Sequence, residues 1–252
     1  MYVKTYVRMV LLLALSLVIV FSIPPSGDAT IQSYVLSNVS NAGLLYAILI
    51  GFLLYITLLR KQGMEEAISL ELNKTRRLYH LALHLKKDEP RLDPWFRELK
   101  KGLEAYHEHF KDVDFRAYET GDARFRKVTY TIYRLPASGI PYNAELYASL
   151  LDAAASATEA RETINDKMEE YLGRFAWIVM LVVTAVFCLV ISLATPDTWL
   201  AKSVSAALVF SLLLALQLMY EYDRSNIIKN RYFSNLYLRN MARAEREDGK
   251  KK

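Results

Sequence analysis

Four apolar blocks punctuate the chain, at 9–23, 43–59, 175–194 and 199–220. A bilayer core of ~30 Å takes about 20 helical residues. The third and fourth blocks meet that length unaided. The first becomes long enough when its flanks are included, giving helices over about 7–25 and 43–59 for the first pair. No block carries an ionisable group at its centre; Lys202 lies near the end of the fourth, where its stem can reach the headgroups. The first block, with Lys4 and Arg8 before it and two prolines after it, also has the layout of a secretory signal.

Between the second and third blocks the pattern changes to alternating apolar and charged positions. Met64, Ile68, Leu72, Thr75, Leu78, Ala82 and Leu85 recur at three or four, one face of a helix over 60–87. Asp88-Glu89-Pro90 stops it. Asp93-Pro94 restarts one with an N-cap carboxylate and a proline at the first helical position. Trp95, Leu99, Leu103, Tyr106 and Phe110 then form a stripe, so 60–87 and 94–110 make a helical hairpin. Over 113–134 the alternation of Val128, Tyr130 and Ile132 with Thr129, Thr131 and Tyr133 suits a strand, and Thr120-Gly121-Asp122 could turn a β-hairpin. A lone two-stranded hairpin is marginal in water, so a helix is favoured. Residues 136–141 read as a linker. Asn143 caps a further helix, expected to run without a break past Gly173 into the third block as a stalk.

The fold class is therefore an all-α integral membrane protein: four transmembrane helices with a helical cytoplasmic stalk or hairpin insert between the second and third. The expected organisation is a first transmembrane hairpin (1–59), a cytoplasmic helical insert (60–174), a second transmembrane hairpin (175–220) and a basic cytoplasmic tail (221–252). Composition agrees: 53% of residues are hydrophobic and 23% charged. Charge sets the orientation. Of 32 Lys and Arg, two precede the first block, 20 lie in 60–174, nine lie in the tail, and only Lys202 is elsewhere. The segment 24–42 and the turn 195–198 have none. The excess of Lys and Arg in cytoplasmic loops then puts both termini and 60–174 on the cytoplasmic side of the cell membrane.

Candidate chemistry is thin. One Cys excludes an intramolecular disulfide and a Cys-rich metal site. His80 and His84 share a helix face at the spacing of a two-His metal pair, but His107 and His109 fall too far along the hairpin to complete it. All four histidines read as polar groups on helix faces. The acidic residues, among them Glu65, Glu66, Glu71, Glu104 and Glu108, read as solvated charges. No nucleotide-binding or hydrolase motif is present, so no catalytic residue, metal or cofactor is expected, and nucleic acid is not an expected partner.

In the membrane blocks, small residues repeat at spacing four: Gly43, Ala47 and Gly51; Ser203, Ala207, Ser211 and Ala215; and Thr184, Cys188 and Ser192 in line with Ala176 and Met180. Such faces let helices approach closely, or line a polar path. Glu221, Asp223 and Arg224, where the fourth helix leaves the bilayer, are candidates for interhelical pairing or gating.

Ala160-Arg161, Arg174-Phe175-Ala176-Trp177 and Tyr222-Asp223-Arg224 sit in a layout of two helices, a helical insert, two helices and a short tail. In these features the chain resembles the bestrophin-like family of four-helix membrane proteins. That resemblance implies a ring-like oligomer that conducts anions, with the lipid bilayer and further copies or a membrane complex as partners. Against an oligomeric channel or transport protein stands a second reading: a non-catalytic structural or signalling subunit whose cytoplasmic helices dock a partner.

Overall fold

The computed structural model describes residues 2–24, 29–112, 115–169, 172–223, 235–240, 242 and 246. Among them every regular element is helical: α1 (Tyr2–Ser22), α2 (Ala29–Asp88), α3 (Asp93–Asp112), α4 (Asp122–Tyr133), α5 (Ala144–Glu169), α6 (Arg174–Ala194) and α7 (Trp199–Asp223), with short 3-10 turns at Pro90–Leu92, Phe115–Gly121 and Pro136–Ser138. Two compact units emerge, Met1–Leu59 with Tyr171–Ser225, and Arg60–Glu170 with Asn226–Lys252.

The first unit gathers α1, the N-terminal part of α2, α6 and α7. Three of its helices are long and apolar enough to cross a bilayer: α2 from Gly43, α6 and α7; the apolar part of α1, Val7–Ser22, is shorter. Its outer surface is aliphatic and aromatic, with Val10, Leu11, Leu44, Phe52 and Phe175 exposed, as a lipid-facing wall requires. Inside, Val20 of α1 packs on Cys188 of α6 and on Ala206 and Val209 of α7. Tyr46 of α2 joins Met180, Leu216 and Met219. Lys202 turns back to Asp197, Nζ 2.5 Å from Oδ1, with its ammonium 5.6 Å from the centre of the Phe21 ring.

The second unit is built on the face of α2 that the spacing singled out. Met64, Ile68, Leu72, Thr75, Leu78, Ala82 and Leu85 are all buried. Leu99, Leu103, Tyr106 and Phe110 of α3 meet them; Trp95, half-buried, donates its indole N–H to Thr131 O at 2.8 Å. Glycine at 102 lets α3 and α4 come close: a Cβ there would stand 3.3 Å from Val128 Cγ2. The connection after α2 is capped by Glu89, which accepts from Arg91 N–H. The Asp93 carboxylate instead pairs with Lys86 and Arg97. Asn143 caps α5 as expected, Oδ1 accepting from Glu145 and Leu146 N–H.

Two boundaries differ from the sequence reading, and the helix favoured over 113–134 is present as α4. The second apolar block is the middle of a longer helix, since α2 is already helical from Ala29; no proline or glycine falls between there and the block to stop it. The strand alternative over 113–134 gives way to a 3-10 turn and α4, whose Phe125, Val128 and Ile132, three and four apart, are buried together; residues 113 and 114 lie outside the described set. The continuous helix from 143 into the third block does not form. Leu172 and Gly173 are non-helical. Gly173 caps α6 with φ −55° and ψ 148°, and the Leu172 N–H donates to Asp223 Oδ1 at 2.8 Å instead of to a helical carbonyl.

Candidate functional site

The polar centre of the second unit is Glu71, on the same helix as the buried apolar face but wholly out of water. A buried carboxylate needs compensating partners, and here they come from four other segments. Tyr106 of α3 donates its hydroxyl to Oε1. Tyr118, in the 3-10 turn before α4, donates to Oε2 at 2.6 Å. Tyr237, in the helical residues 235–240, also donates to Oε2. Arg161 of α5 completes the set, Nη1 lying 3.4 Å from Oε1.

Arg161 is itself buried. Its guanidinium donates to Tyr106 Oη, to Tyr118 O at 3.5 Å and to Asp122 at the start of α4. Its Cζ sits 4.3 Å from the Tyr118 ring centre and 5.1 Å from those of Tyr106 and Phe125, a cation–π enclosure. Burial raises the Glu71 carboxyl above its usual range, opposed by Arg161 and by the three tyrosine hydroxyls. Burial and the nearby Glu71 charge push all three tyrosines well up, so they remain donors. Burial works against the Arg161 charge, but Tyr106, Tyr118 and Glu71 raise it above its ordinary value.

One turn along α2 from Glu71, Thr75 faces His107 of α3, which forms a second polar cluster. Its Nδ1 lies 2.7 Å from Leu103 O. A carbonyl only accepts, so Nδ1 carries the proton, and the neutral ring leaves Nε2 as an acceptor. Asn240 Nδ2, 3.3 Å away, donates to it, and also donates to Leu72 O and Thr75 Oγ1 at 2.8 and 3.2 Å. Burial lowers the ring to about 4, against the backbone hydrogen bond to Leu103.

Glu71 and His107 correct the sequence reading, which took one for a solvated charge and the other for a polar helix-face group. The missed signal was position: Glu71 lies three residues past Ile68, and His107 four past Leu103, on the apolar faces of their helices. His80 is half-buried beside Tyr79, His84 is exposed, and His109 Nε2 lies 2.8 Å from Thr120 Oγ1.

In the first unit, the small-residue lines divide. Thr184, Cys188 and Ser192 are buried. Thr184 Oγ1 is 2.8 Å from Tyr46 Oη, and Thr184 and Ser192 also bond back to Met180 O and Cys188 O. Gly43 is half-buried, its missing Cβ 3.8 Å from Phe187 Cε1, while Gly51 has open space beside it. Ala47, Ala207 and Ser211 are exposed, and Ser203 and Ala215 are half-buried. The Ser203 and Ser211 hydroxyls bond back to Trp199 O and Ala207 O.

At the end of α7, Glu221 accepts from Arg8 Nη1 and Gln217 Nε2, each at 3.0 Å. Asp223 is buried and accepts from Trp177 Nε1 at 2.7 Å as well as from Leu172 N–H. Arg224 lies outside the described residues.

A family model described as a Bestrophin-like domain matches residues 7–226. No curated protein matches the chain. Among solved structures, a proline-to-alanine variant of a membrane protein aligns at 13% identity, over 94% of this chain and 98% of its own, with a TM-score of 0.72. A point variant of a bacterial bestrophin homologue from Klebsiella pneumoniae aligns at 14% identity, over 96% and 99%, with a TM-score of 0.71. Another variant of that homologue gives 14%, 96%, 98% and 0.70. At such identities the likeness to these structures is one of fold.

Proposed function

The chain belongs to the bestrophin-like family, and on that premise we propose that it is an oligomeric, ion-conducting membrane protein without enzymatic activity. The observation that carries the reading is the reach of the family match, residues 7–226, which takes in all four apolar helices and the insert between them. In this reading four helices span the cell membrane. The first is α1, whose 21 residues reach ~31 Å at 1.5 Å each. Both termini and residues 60–174 lie in the cytoplasm, which the basic-residue partition supports.

The pore belongs on helix faces that one copy leaves unfilled. Ala47 and Gly51 on α2, and Ala207 and Ser211 on α7, are small and exposed, and suit either a neighbouring copy or a water-filled axis. Thr184, Cys188 and Ser192 hold the helices of one copy together. Glu221 and Asp223 act at the cytoplasmic end of α7, where ion pairing and capping fix that helix. Docking of a protein partner on the charged 60–174 segment is the second reading; Tyr106 and Phe110 of the α3 stripe are buried within the second unit and leave that docking to its exposed charged residues.

Purified protein in liposomes loaded with a halide-sensitive dye tests the conduction reading, with particle images in detergent for assembly. Halide flux and rotational symmetry about the membrane normal are expected. Absence of flux at every voltage, calcium concentration and pH, or a solitary closed bundle, would refute it.

A further inference from the structure

Residues 60–174 carry equal numbers of basic and acidic residues, yet the charge is unevenly placed. A groove of about 470 Å³ runs beside α4, lined by Arg126, Lys127 and Tyr130 of that element, by Arg134 at its C-cap and by Glu98 of α3. Among the described residues no carboxylate pairs with any of these three cations. Asp122, the acid at the head of α4, is committed to Arg161. The groove also holds an exposed aromatic ring. Tyr130 is 63% exposed and Tyr133 56%; among the described residues of this unit only Leu70 joins them as a large exposed apolar side chain.

We propose that this groove binds a nucleoside phosphate. Arg126 and Lys127 are adjacent and one turn before Tyr130; Arg134 is one turn after it. The cations thus flank the ring over ~12 Å, eight residues at 1.5 Å each. An anion laid along this groove would meet all three of its lining cations. Phosphate groups answer the adjacent pair, since Arg matches phosphate oxygens bidentately and Lys acts as a point charge. The face of Tyr130 offers a platform for a planar base. Glu98, on the opposite wall, is an acceptor for a sugar hydroxyl or a ring amine. The volume lies within the range of small-molecule sites, ~300–1,000 Å³. Inorganic phosphate would use the cations but leave Tyr130 and Glu98 idle.

Titration calorimetry on the full chain in detergent tests the assignment, with adenosine and guanosine triphosphates, adenosine, tripolyphosphate and a single-stranded oligonucleotide as probes. At least one triphosphate should bind roughly tenfold tighter than tripolyphosphate, the size of one stacking contact, and adenosine should bind more weakly still. Tyr130→Ala should remove that tenfold advantage while leaving tripolyphosphate binding unchanged. Arg126→Ala with Lys127→Ala should weaken both phosphate probes and reduce their salt dependence. Arg77→Ala, exposed on α2, should change nothing, and unchanged melting of each variant excludes misfolding. Equal affinity for triphosphate and tripolyphosphate, insensitivity to Tyr130→Ala, tighter binding of the oligonucleotide, or no binding at all would each overturn the proposal.

Discussion

Arg161 lies against Glu71, Nη1 3.4 Å from Oε1, with side-chain exposures of 5% and 0%. Two charges withdrawn from water stabilise a fold only if every remaining donor and acceptor is met. Here the carboxylate receives three phenolic hydroxyls, and the guanidinium reaches Asp122 and the Tyr118 carbonyl. The pair joins α2 to α5 while the tyrosines bring in α3, the turn before α4 and residues 235–240.

Removing one partner should therefore be far worse than removing both. Glu71→Gln or Arg161→Met alone is expected to cost about 3–5 kcal/mol, the size of an uncompensated buried charge. The double variant should recover part of that loss. Chemical denaturation of the detergent-solubilised protein, followed by tyrosine fluorescence, gives the coupling. Strict additivity of the two single losses would refute a shared network.

Tyr237 is the separable arm of this network. Tyr237→Phe deletes a hydroxyl donated to a carboxylate and should cost about 1.5–3 kcal/mol, with the loss concentrated in the attachment of residues 235–240. Limited proteolysis should then cleave after Arg239 sooner than in the parent protein. Cleavage at the parent rate would contradict the arrangement.

How far these residues could be read in advance depended on which rule governed each. The seven-residue face of α2 was legible because a single apolar stripe at three-and-four spacing has one consistent burial. The cap at Asn143 was legible because its side chain acts on N–H groups two and three residues away. Glu71 was not, because its partners come from segments 35, 47, 90 and 166 residues distant, and no local spacing records them. The break at Gly173 escaped for the same reason, since the carboxylate that takes up the Leu172 N–H is on α7. The resemblance quoted Arg161, Trp177 and Asp223 in separate fragments; the fold joins Trp177 to Asp223 and Arg161 to Glu71, which spacing could not show.

The Trp177–Asp223 contact predicts a local effect in the first unit. Trp177→Phe keeps the ring but removes the donor to Oδ2, and should lower stability by about 1.5–3 kcal/mol, as for a hydrogen bond to a charged group. Asp223→Ala should cost more, since it also orphans the Leu172 N–H. Melting temperatures in detergent should fall in the order parent, Trp177→Phe, Asp223→Ala. The reverse order would show that the carboxylate is not the shared acceptor.

His107 sets a pH dependence. Its folded value is about 4 against 6.5 when unperturbed, so between these pH values the unfolded chain binds the extra proton. Stability from this group is then fully present above about 6.5 and falls as pH drops toward 4. The 2.5-unit gap corresponds to about 3 kcal/mol. The raised Glu71 carboxyl acts in the opposite sense, gaining as pH falls, so the parent curve mixes both groups. His107→Gln isolates the histidine: its amide can still donate toward Leu103 O but does not titrate. The variant should lose less stability between pH 7 and 5 than the parent. Equal losses would place the proton uptake elsewhere.

The proposed topology makes the most exposed forecast. Ser33 on α2 and Glu104 on α3 fall on opposite sides of the membrane if the positive-inside rule governs this chain. The long 60–174 insert exceeds the roughly 60 residues over which that rule is dependable. The argument therefore rests on the basic residues nearest the apolar helices, Arg60, Lys61, Lys167 and Arg174. It rests equally on the lack of Lys and Arg in 24–42 and 195–198. Ser33→Cys and Glu104→Cys, each in a Cys188→Ala background so that the single native thiol is removed, report the two sides separately. Ser33 is exposed and Glu104 half-buried on its helix, so a thiol at either place can meet reagent once the barrier is passed. On intact cells an impermeant maleimide should modify position 33 alone, and position 104 should react only after permeabilisation. Labelling at 104 but not at 33 would invert the molecule and remove the cytoplasm from every part of the proposed function.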